Sequence, residues 1–239
     1  MKGWRAKLGI LVPSSNTTME PELCDLLPKG CGISIHSSRI KITEDAEEQI
    51  KNLINHVEDA ADLLKDADVD IIAFGCTAGS FIGGLGYDER IIKLIEDTAK
   101  VPATATSTSV IKALKELGIS TISVASPYES WLNEKLKGFL EAHGFKVLKI
   151  RGLGIKKDIA HVHPELVYRF ARKSFDSCSD GLFISCTDFR TIEILDLLEH
   201  DLGKPVISSN QATLWDMLKT LEIKINIQGY GKLLATLNG

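Results

Sequence analysis

The sequence IIAFGCT, residues 71–77, is an apolar run that ends on a cysteine and a threonine, and LFISCT, residues 182–187, repeats this pattern. A short, continuous apolar run is typical of a strand that is buried on both faces. Sheets built from such strands are parallel and carry helices on both sides. The two stretches therefore predict an α/β protein.

Amphipathic segments alternate with similar apolar runs along the rest of the chain. Ile50, Leu53, Ile54 and Val57 recur at helical spacing, and glycines such as Gly118 stand where predicted helices end. The predicted strands span residues 8–12, 33–42, 69–74, 101–105, 121–125, 145–151, 181–185 and 205–208. The predicted helices span residues 45–66, 88–100, 110–117, 129–143, 164–174, 192–202 and 212–221.

The second half of the chain repeats the order of the first. LGILVPSSN, residues 8–16, matches ISVASPY, residues 122–128, in kind, and a Cys-Thr pair follows each at a similar distance. The repeat is far longer than a solenoid unit, so we interpret it as two similar α/β lobes related by a pseudo-twofold axis. The predicted N-terminal lobe spans residues 1–106 plus 210–239, the C-terminal lobe spans residues 107–209, and the site is expected between them.

Composition excludes several classes of protein. With 28 Lys+Arg against 32 Asp+Glu, the chain is mildly acidic, so we expect neither nucleic acid nor a membrane surface as a partner. No apolar run is long enough to span a membrane, and the N-terminus indicates a first strand rather than a signal peptide, so a cytoplasmic location is expected. The five cysteines are an odd number without metal-ligand spacing, which argues against a disulfide framework or a metal site.

Cys76 and Cys186 are the candidate catalytic residues. Both follow predicted strands at the carboxyl ends, where parallel sheets bind ligands. We expect each to lie where a strand leads into a helix, so that backbone N–H groups and the helix dipole stabilise a thiolate. The same N–H groups could hold a carboxylate, with donors from Thr77, Ala78, Thr187 and Asp188. The alternative, that the thiols merely fill strand ends, we prefer only for Cys24, Cys31 and Cys178.

The segment after the first strand supplies further polar groups. We expect Ser14, Ser15 and Asn16 to face the ligand, while Thr17 or Thr18 caps the following helix. Capping alone would be the simpler explanation of this segment, and both roles can coexist.

Four other features have a structural alternative. Tyr128 occupies the equivalent turn of the second half and either binds the ligand or only packs. Arg39 is expected in a structural ion pair, and His161 in a surface or structural role. The glycine-rich residues 83–86 lack nucleotide-binding spacing and are interpreted as a turn or a lid over the cleft.

GILVPSSNTTME (residues 9–20), HSSR (36–39), both Cys-Thr turns, ASPY (125–128) and GYG (229–231) together resemble the maleate cis-trans isomerases. That family belongs to the aspartate/glutamate racemase superfamily, which includes the arylmalonate decarboxylases. The resemblance covers essentially the whole chain. It implies two Rossmann-like lobes, a site between them, no cofactor and no metal, a small carboxylate or dicarboxylate substrate, and a homodimer.

The resemblance also implies roles for individual residues. Cys76 would add to one alkene carbon of maleate, and Cys186 would supply and retake a proton at the other, so that rotation about the resulting single bond leads to fumarate. Asn16 and Tyr128 would hold the carboxylates, with Ser14, Ser15 and backbone N–H groups nearby.

Two features of the sequence depart from the isomerase pattern. Residues 77–81, TAGSF, replace the apolar residues that usually follow the first cysteine, and the resemblance places Asp158 at the position of a substrate-facing asparagine. A carboxylate at that position would repel a dianion. An amino-acid racemase, an arylmalonate-type decarboxylase and a small-carboxylate binding protein therefore stay open as alternatives, although the decarboxylases keep only the second cysteine.

Overall fold

The computed structural model describes residues 3–42 and 46–238, which form two four-stranded parallel sheets. The first sheet has the order β2-β1-β3-β4, with β1 at Ala6–Pro13, β2 at Ile33–Ile40, β3 at Ile71–Phe74 and β4 at Ala103–Ala105. The second has the order β6-β5-β7-β8, with β5 at Thr121–Ser126, β6 at Lys146–Gly152, β7 at Gly181–Ile184 and β8 at Val206–Ser208. The α/β class and the duplication are confirmed.

Helices surround both sheets. Those of the first repeat are α1 (Met19–Leu26), α2 (Glu47–Asn52), α3 (Val57–Lys65), α4 (Thr77–Phe81), α5 (Tyr87–Ala99) and α6 (Thr106–Glu116). The second repeat has α7 (Ser130–Ala142), α8 (Pro164–Ser174), α9 (Leu195–Leu202) and α10 (Ser209–Thr220), and α11 (Lys232–Ala235) follows. Short 3-10 helices lie at Leu53–His56, Ile159–His161, Ile192–Ile194 and Thr236–Asn238.

The central strands explain why the site lies where it does. All residues of β3 and β7 are buried, and β1 and β5 are buried except for one partly exposed residue each. Such strands leave no open face of the sheet for a ligand. Polar turns are therefore concentrated at the carboxyl ends of the strands.

The helix predicted over residues 45–66 is interrupted, which corrects that prediction. A 3-10 turn separates α2 from α3, and its residues include Asn55 and His56. Asn55 donates to Asn52, and the Asn52 amide contacts the His56 ring. Asparagine side chains compete with the helical backbone for hydrogen bonds, which explains the break. The predicted start at Asp45 lies outside the described residues.

Two helices begin earlier than predicted. The helix α6 begins at Thr106 and α10 at Ser209, because the polar residues taken for a turn form the first helical turn. At α10 the Ser208 hydroxyl accepts the Gln211 N–H and the Gln211 side chain accepts the Ser208 N–H, which is a capping box.

The two repeats share an extensive interior. The helix α10 packs against α6 and α1, and the carboxylate of Asp216 accepts hydrogen bonds from Thr104, Ser109 and Lys112. The lobe boundaries at 106/107 and 209/210 stay predictions, and residues 1–2, 43–45 and 239 of the predicted N-terminal lobe lie outside the described residues.

Candidate active site

A cavity of about 200 Å³ lies at the carboxyl ends of both sheets. Cys76 and Cys186 both line it, and they are 7% and 8% exposed. The other predicted site residues in its lining are Ser15, Asn16, Thr77, Ala78, Tyr128 and Thr187. Residues that are far apart in the sequence thus converge on one cavity.

Cys76 is the N-cap of α4. Its Sγ accepts the backbone N–H of Gly79 at 3.3 Å. Its carbonyl accepts the Ser80 hydroxyl at 2.9 Å, which fixes the first turn of the helix. A backbone N–H that points at sulfur favours the thiolate over the thiol. The predicted strand-to-helix transition is confirmed for this cysteine.

Cys186 has a different backbone, and it does not lie at a helix start, contrary to expectation. Its φ is +102°, and the next helical residues begin at Ile192, where the sequence predicted the helix after this strand. The following side chains point to the other repeat instead: the Thr187 hydroxyl donates to the Gly75 carbonyl, and the Asp188 carboxylate accepts the Thr17 N–H, each at 3.0 Å. These contacts hold the chain in an open turn.

Hydrogen bonds join the two cysteine turns directly. Thr187 connects to the residue before Cys76, as described above. In the other direction, the Thr77 hydroxyl donates to the Ser209 hydroxyl at 2.9 Å, and the same oxygen accepts the Cys186 N–H at 3.1 Å. Each cysteine is therefore flanked by groups that are bonded across the boundary between the repeats.

The segment after β1 differs from the prediction in two respects. Ser14 does not line the cavity, because its hydroxyl donates to the Ile42 carbonyl and accepts the Ile42 N–H. The helix α1 is capped by Asn16, whose Oδ1 accepts the N–H groups of Thr18 and Met19, and not by a threonine hydroxyl. The Asn16 amide also donates to Thr187 at 3.0 Å, so this residue connects the helix to the second cysteine turn.

A family model described as arylmalonate decarboxylase matches residues 8–234 of the chain. The chain belongs to the arylmalonate decarboxylase family. This match confirms the family relationship expected from the sequence motifs.

Individual members of the family are similar over nearly their whole length. The maleate isomerase of Pseudomonas putida is 27% identical, with 96% of this chain and 97% of that protein covered. The arylmalonate decarboxylase of Bordetella bronchiseptica is 26% identical, with 93% and 91% covered. A crystal structure of a Cys-to-Ala variant of the maleate isomerase from Pseudomonas putida S16 with maleate has a TM-score of 0.89 at 26% identity, covering 96% and 97% of the two chains.

Tyr128 lies on the cavity wall of this family member and is 2% exposed. Its hydroxyl accepts a hydrogen bond from Ser185 at 3.4 Å, and its ring packs edge-on against Phe81. The two interpretations of Tyr128 therefore hold together, since the side chain packs in the core and also borders the cavity.

The family resemblance pointed to Asp158 as a substrate-facing position, but the sequence interpretation missed the lysines of the same loop, which covers the mouth of the cavity. Lys156, Lys157, Asp158 and His161 line it, whereas glycine-rich residues 83–86 do not. Lys156 pairs with a carboxylate of the adjacent helix, and Asp158 pairs with His161 at 3.7 Å. His161 is exposed, as expected, but at the entrance. The charged run KKD could have indicated this loop, because charged groups at a strand end often face a ligand.

A half-buried carboxylate, Asp188, and a buried one, Glu22, hold the cysteine turn of the second repeat against the segment that contains α1. Asp188 reaches from that turn to Thr17, and burial raises the pKa of its carboxyl group. Glu22 reaches from α1 to the N–H groups of Thr191 and Ile192, and burial raises its pKa to about 6 although these hydrogen bonds oppose the shift. Sequence gave no signal for Glu22, because a glutamate early in a helix is ordinarily exposed.

Arg39 makes the expected structural ion pair, with Glu20, and also donates to the Asn16 carbonyl. Among residues 3–42 and 46–238, no group of three or more His, Cys, Asp or Glu side chains is placed to hold a metal ion. No helix in that part of the chain is long and apolar enough to cross a membrane.

Proposed function

We propose that the protein is a maleate cis-trans isomerase that uses Cys76 as the nucleophile and Cys186 as the proton carrier. The observation that carries the proposal is that both thiols line one cavity and that the Cys76 Sγ accepts a backbone N–H from a helix start. The maleate isomerases among its relatives support the choice of reaction.

The reaction begins at Cys76. Its thiolate adds to one alkene carbon of maleate, and a C–S bond forms while the π electrons move to the other carbon, next to the second carboxylate. The Gly79 N–H stabilises the thiolate before attack and again when sulfur leaves. The covalent step converts the double bond into a single bond, so that rotation becomes possible.

Cys186 completes the addition and starts the elimination. Its S–H gives a proton to the carbanionic carbon, which leaves a succinyl thioether on Cys76. After rotation, the Cys186 thiolate takes a proton back from that carbon, the C–S bond breaks, and fumarate leaves. Atoms and charges balance without an oxidant or a reductant, so the reaction needs no redox cofactor.

Polar groups around the sulfurs would hold the two carboxylates. The Asn16 side-chain amide has two N–H groups. One donates to the Thr187 hydroxyl, and the other would donate to a carboxylate of the ligand. Ser15, Tyr128 and the backbone N–H groups of the Cys76 turn border the same space. The lysines at the mouth add positive charge beside the Asp158 carboxylate.

The size of the cavity favours a small acid. Its volume of about 200 Å³ lies below the roughly 300–1,000 Å³ of pockets for drug-sized ligands. A four-carbon diacid suits this space better than an arylmalonate does.

A decarboxylase is the second candidate, because the matching family model carries that description. Such an enzyme would need one thiol to protonate a carbanion after loss of carbon dioxide. The second thiol would then have no role in the reaction. A racemase would use both thiols to move an α-proton. A binding protein would use neither.

NMR of the protein with maleate in deuterated buffer tests the proposal. We expect fumarate to accumulate, and any deuterium in the first product to enter at one carbon, through Cys186. The Cys178→Ser variant, which removes an exposed thiol, is the matched control and should convert maleate at the wild-type rate. Release of carbon dioxide from an arylmalonate, or α-proton exchange of aspartate or glutamate, without any fumarate from maleate would replace the proposal by one of its alternatives.

A further inference from the structure

Ser209 is a fully buried hydroxyl between the two cysteine turns. It is the first residue of α10 and has no exposed surface. Its oxygen accepts the Thr77 hydroxyl at 2.9 Å and the Cys186 N–H at 3.1 Å. A single side-chain atom thus contacts the residue after one cysteine and the backbone of the other.

The backbone of Cys186 depends on such support. Its φ of +102° lies in a region that residues other than glycine rarely adopt. Conformations of this kind persist only where the surrounding structure fixes them, and they are concentrated at functional sites. Removal of the Ser209 hydroxyl would take away the hydrogen bond of the Cys186 N–H, and the loss of a partner is costly for a buried donor.

The position of Ser209 is itself well fixed. The capping box of Ser208 and Gln211 holds the start of α10, and the Ser209 carbonyl accepts the Thr213 hydroxyl at 2.8 Å. The hydroxyl therefore acts from a rigid support, and it holds Cys186 in one orientation relative to the first cysteine turn.

We propose that Ser209 is a positioning residue that aims the Cys186 thiol at the substrate carbon through the bond to the Cys186 N–H. The proposal rests on the proposed function, since it assigns Ser209 to the proton-transfer step. Binding of the carboxylates does not involve Ser209, which does not line the cavity. Loss of its hydroxyl should therefore lower kcat and leave KM nearly unchanged.

The Ser209→Ala variant is the main test, with Ser123→Ala as its matched control. Ser123 is equally buried, and its oxygen likewise accepts a backbone N–H, from Asp176 at 2.9 Å, and contacts a hydroxyl, that of Ser179 at 2.8 Å. Both variants lose similar hydrogen bonds, but only Ser209→Ala loses them beside the two cysteines. We expect Ser209→Ala to lower kcat about 10- to 100-fold with KM within about threefold, and Ser123→Ala to keep kcat within about twofold.

Alkylation of the resting protein separates this proposal from the proposed function. With iodoacetamide and peptide mapping by mass spectrometry, Cys186 should react at least about fivefold faster in Ser209→Ala, because its turn is released. Cys178 should react as before, and Ser123→Ala should leave Cys186 unchanged. This result holds whichever acid is the substrate, so an inactive wild-type protein would refute the isomerase and not the role of Ser209.

A third variant covers the case in which the alanine protein does not fold. Ser209→Cys keeps a weak acceptor, and its kcat and Cys186 reactivity should lie between those of wild type and alanine. If folded Ser209→Ala, or Ser209→Cys in its place, keeps both the Cys186 alkylation rate and the kcat within twofold of wild type, the proposal is overturned. A rise in KM alone would also overturn it.

Discussion

The turns after β3 and β7 carry the same Cys-Thr pair but differ in backbone and bonding. At Cys76 the chain enters a helix, and sulfur accepts an N–H. At Cys186 the chain takes a left-handed φ, and the backbone N–H of the cysteine donates to the Ser209 hydroxyl. Duplicated sequence therefore produced two environments for one chemical group.

The residues that follow each Cys-Thr pair explain why the two backbones differ. Ala78 and Gly79 are small enough for the chain to coil tightly against β3, and a Cβ at Gly79 would lie 3.0 Å from the Cys76 Sγ. Asp188 instead has a side chain that bonds Thr17 of the other repeat and holds its own turn open. The comparison supports a division of roles in which one thiol is activated as a nucleophile and the other is oriented as a proton carrier.

Removal of the first sulfur should have the largest effect. We expect Cys76→Ser to lower maleate turnover by at least about 10⁴-fold, because a serine hydroxyl at neutral pH is a far weaker nucleophile than a thiolate. Initial rates by fumarate absorbance measure the loss, and circular dichroism checks the fold. Turnover within tenfold of wild type would show that Cys76 is not the nucleophile.

Gly79→Ala should disturb the first turn without touching the second. The added methyl group would press on the Cys76 Sγ, and on Leu53 and Phe74 at the same 3.0 Å. We expect kcat to fall by about tenfold and the free energy of unfolding to fall by about 1–3 kcal/mol, as overpacking usually costs.

The matched control is Gly138→Ala in α7, where a Cβ would meet open space. This variant should keep kcat and gain about 0.5–1 kcal/mol of stability from better helix propensity. Equal kcat for the two alanine variants would show that the tight coil at Gly79 has no role in the reaction.

Glu22, whose carboxylate holds the Cys186 turn, should have a smaller effect. This effect is seen in how the free energy of unfolding depends on pH. Burial raises the pKa of Glu22 from 4.5 to about 6, so between these values the folded protein keeps a proton that the unfolded chain has lost. Below pH 4.5 both states are protonated. As pH rises through 6, the free energy of unfolding should therefore fall by about 2 kcal/mol on account of this group.

Glu22→Gln removes this dependence, because glutamine does not ionise. In urea unfolding, the free energy of unfolding of the variant minus that of wild type should rise by about 2 kcal/mol from pH 4.5 to pH 7. Glu193→Gln, at an exposed position beside the same turn, is the control and should leave the pH profile unchanged. A constant difference for Glu22→Gln would show that the carboxyl group has the same pKa in the folded and unfolded states.

The sequence alone was enough to predict the features that depend on a local pattern of residues. The apolar runs predicted the strands that end at both cysteines, whereas the short helix α4, which begins directly after Cys76, is not among the predicted helices. The repeat in the sequence predicted the matching order of strands in the two sheets.

Features that depend on contacts between the repeats could not be read from the pattern. Asn16 caps α1 in preference to the neighbouring threonines because its amide also reaches Thr187, and no local rule separates these candidates. Ser209 looked like part of a turn, and Glu22 like a surface residue. Glu22 acquires its contacts only when residues 169 to 188 positions away, such as Thr191 and Asn210, come together with it, and Ser209 bonds to Thr77, which lies 132 positions earlier.

The most direct test of the two-thiol account is mass spectrometry of Cys186→Ser after incubation with maleate. Serine at this position is a poor donor and a poor acceptor of the proton, so the reaction should slow after or during addition. We predict a protein heavier by one maleic acid, with the addition mapped to the peptide that contains Cys76. Maleate turnover at the wild-type rate, or an adduct on Cys24, Cys31 or Cys178 in place of Cys76, would contradict the account.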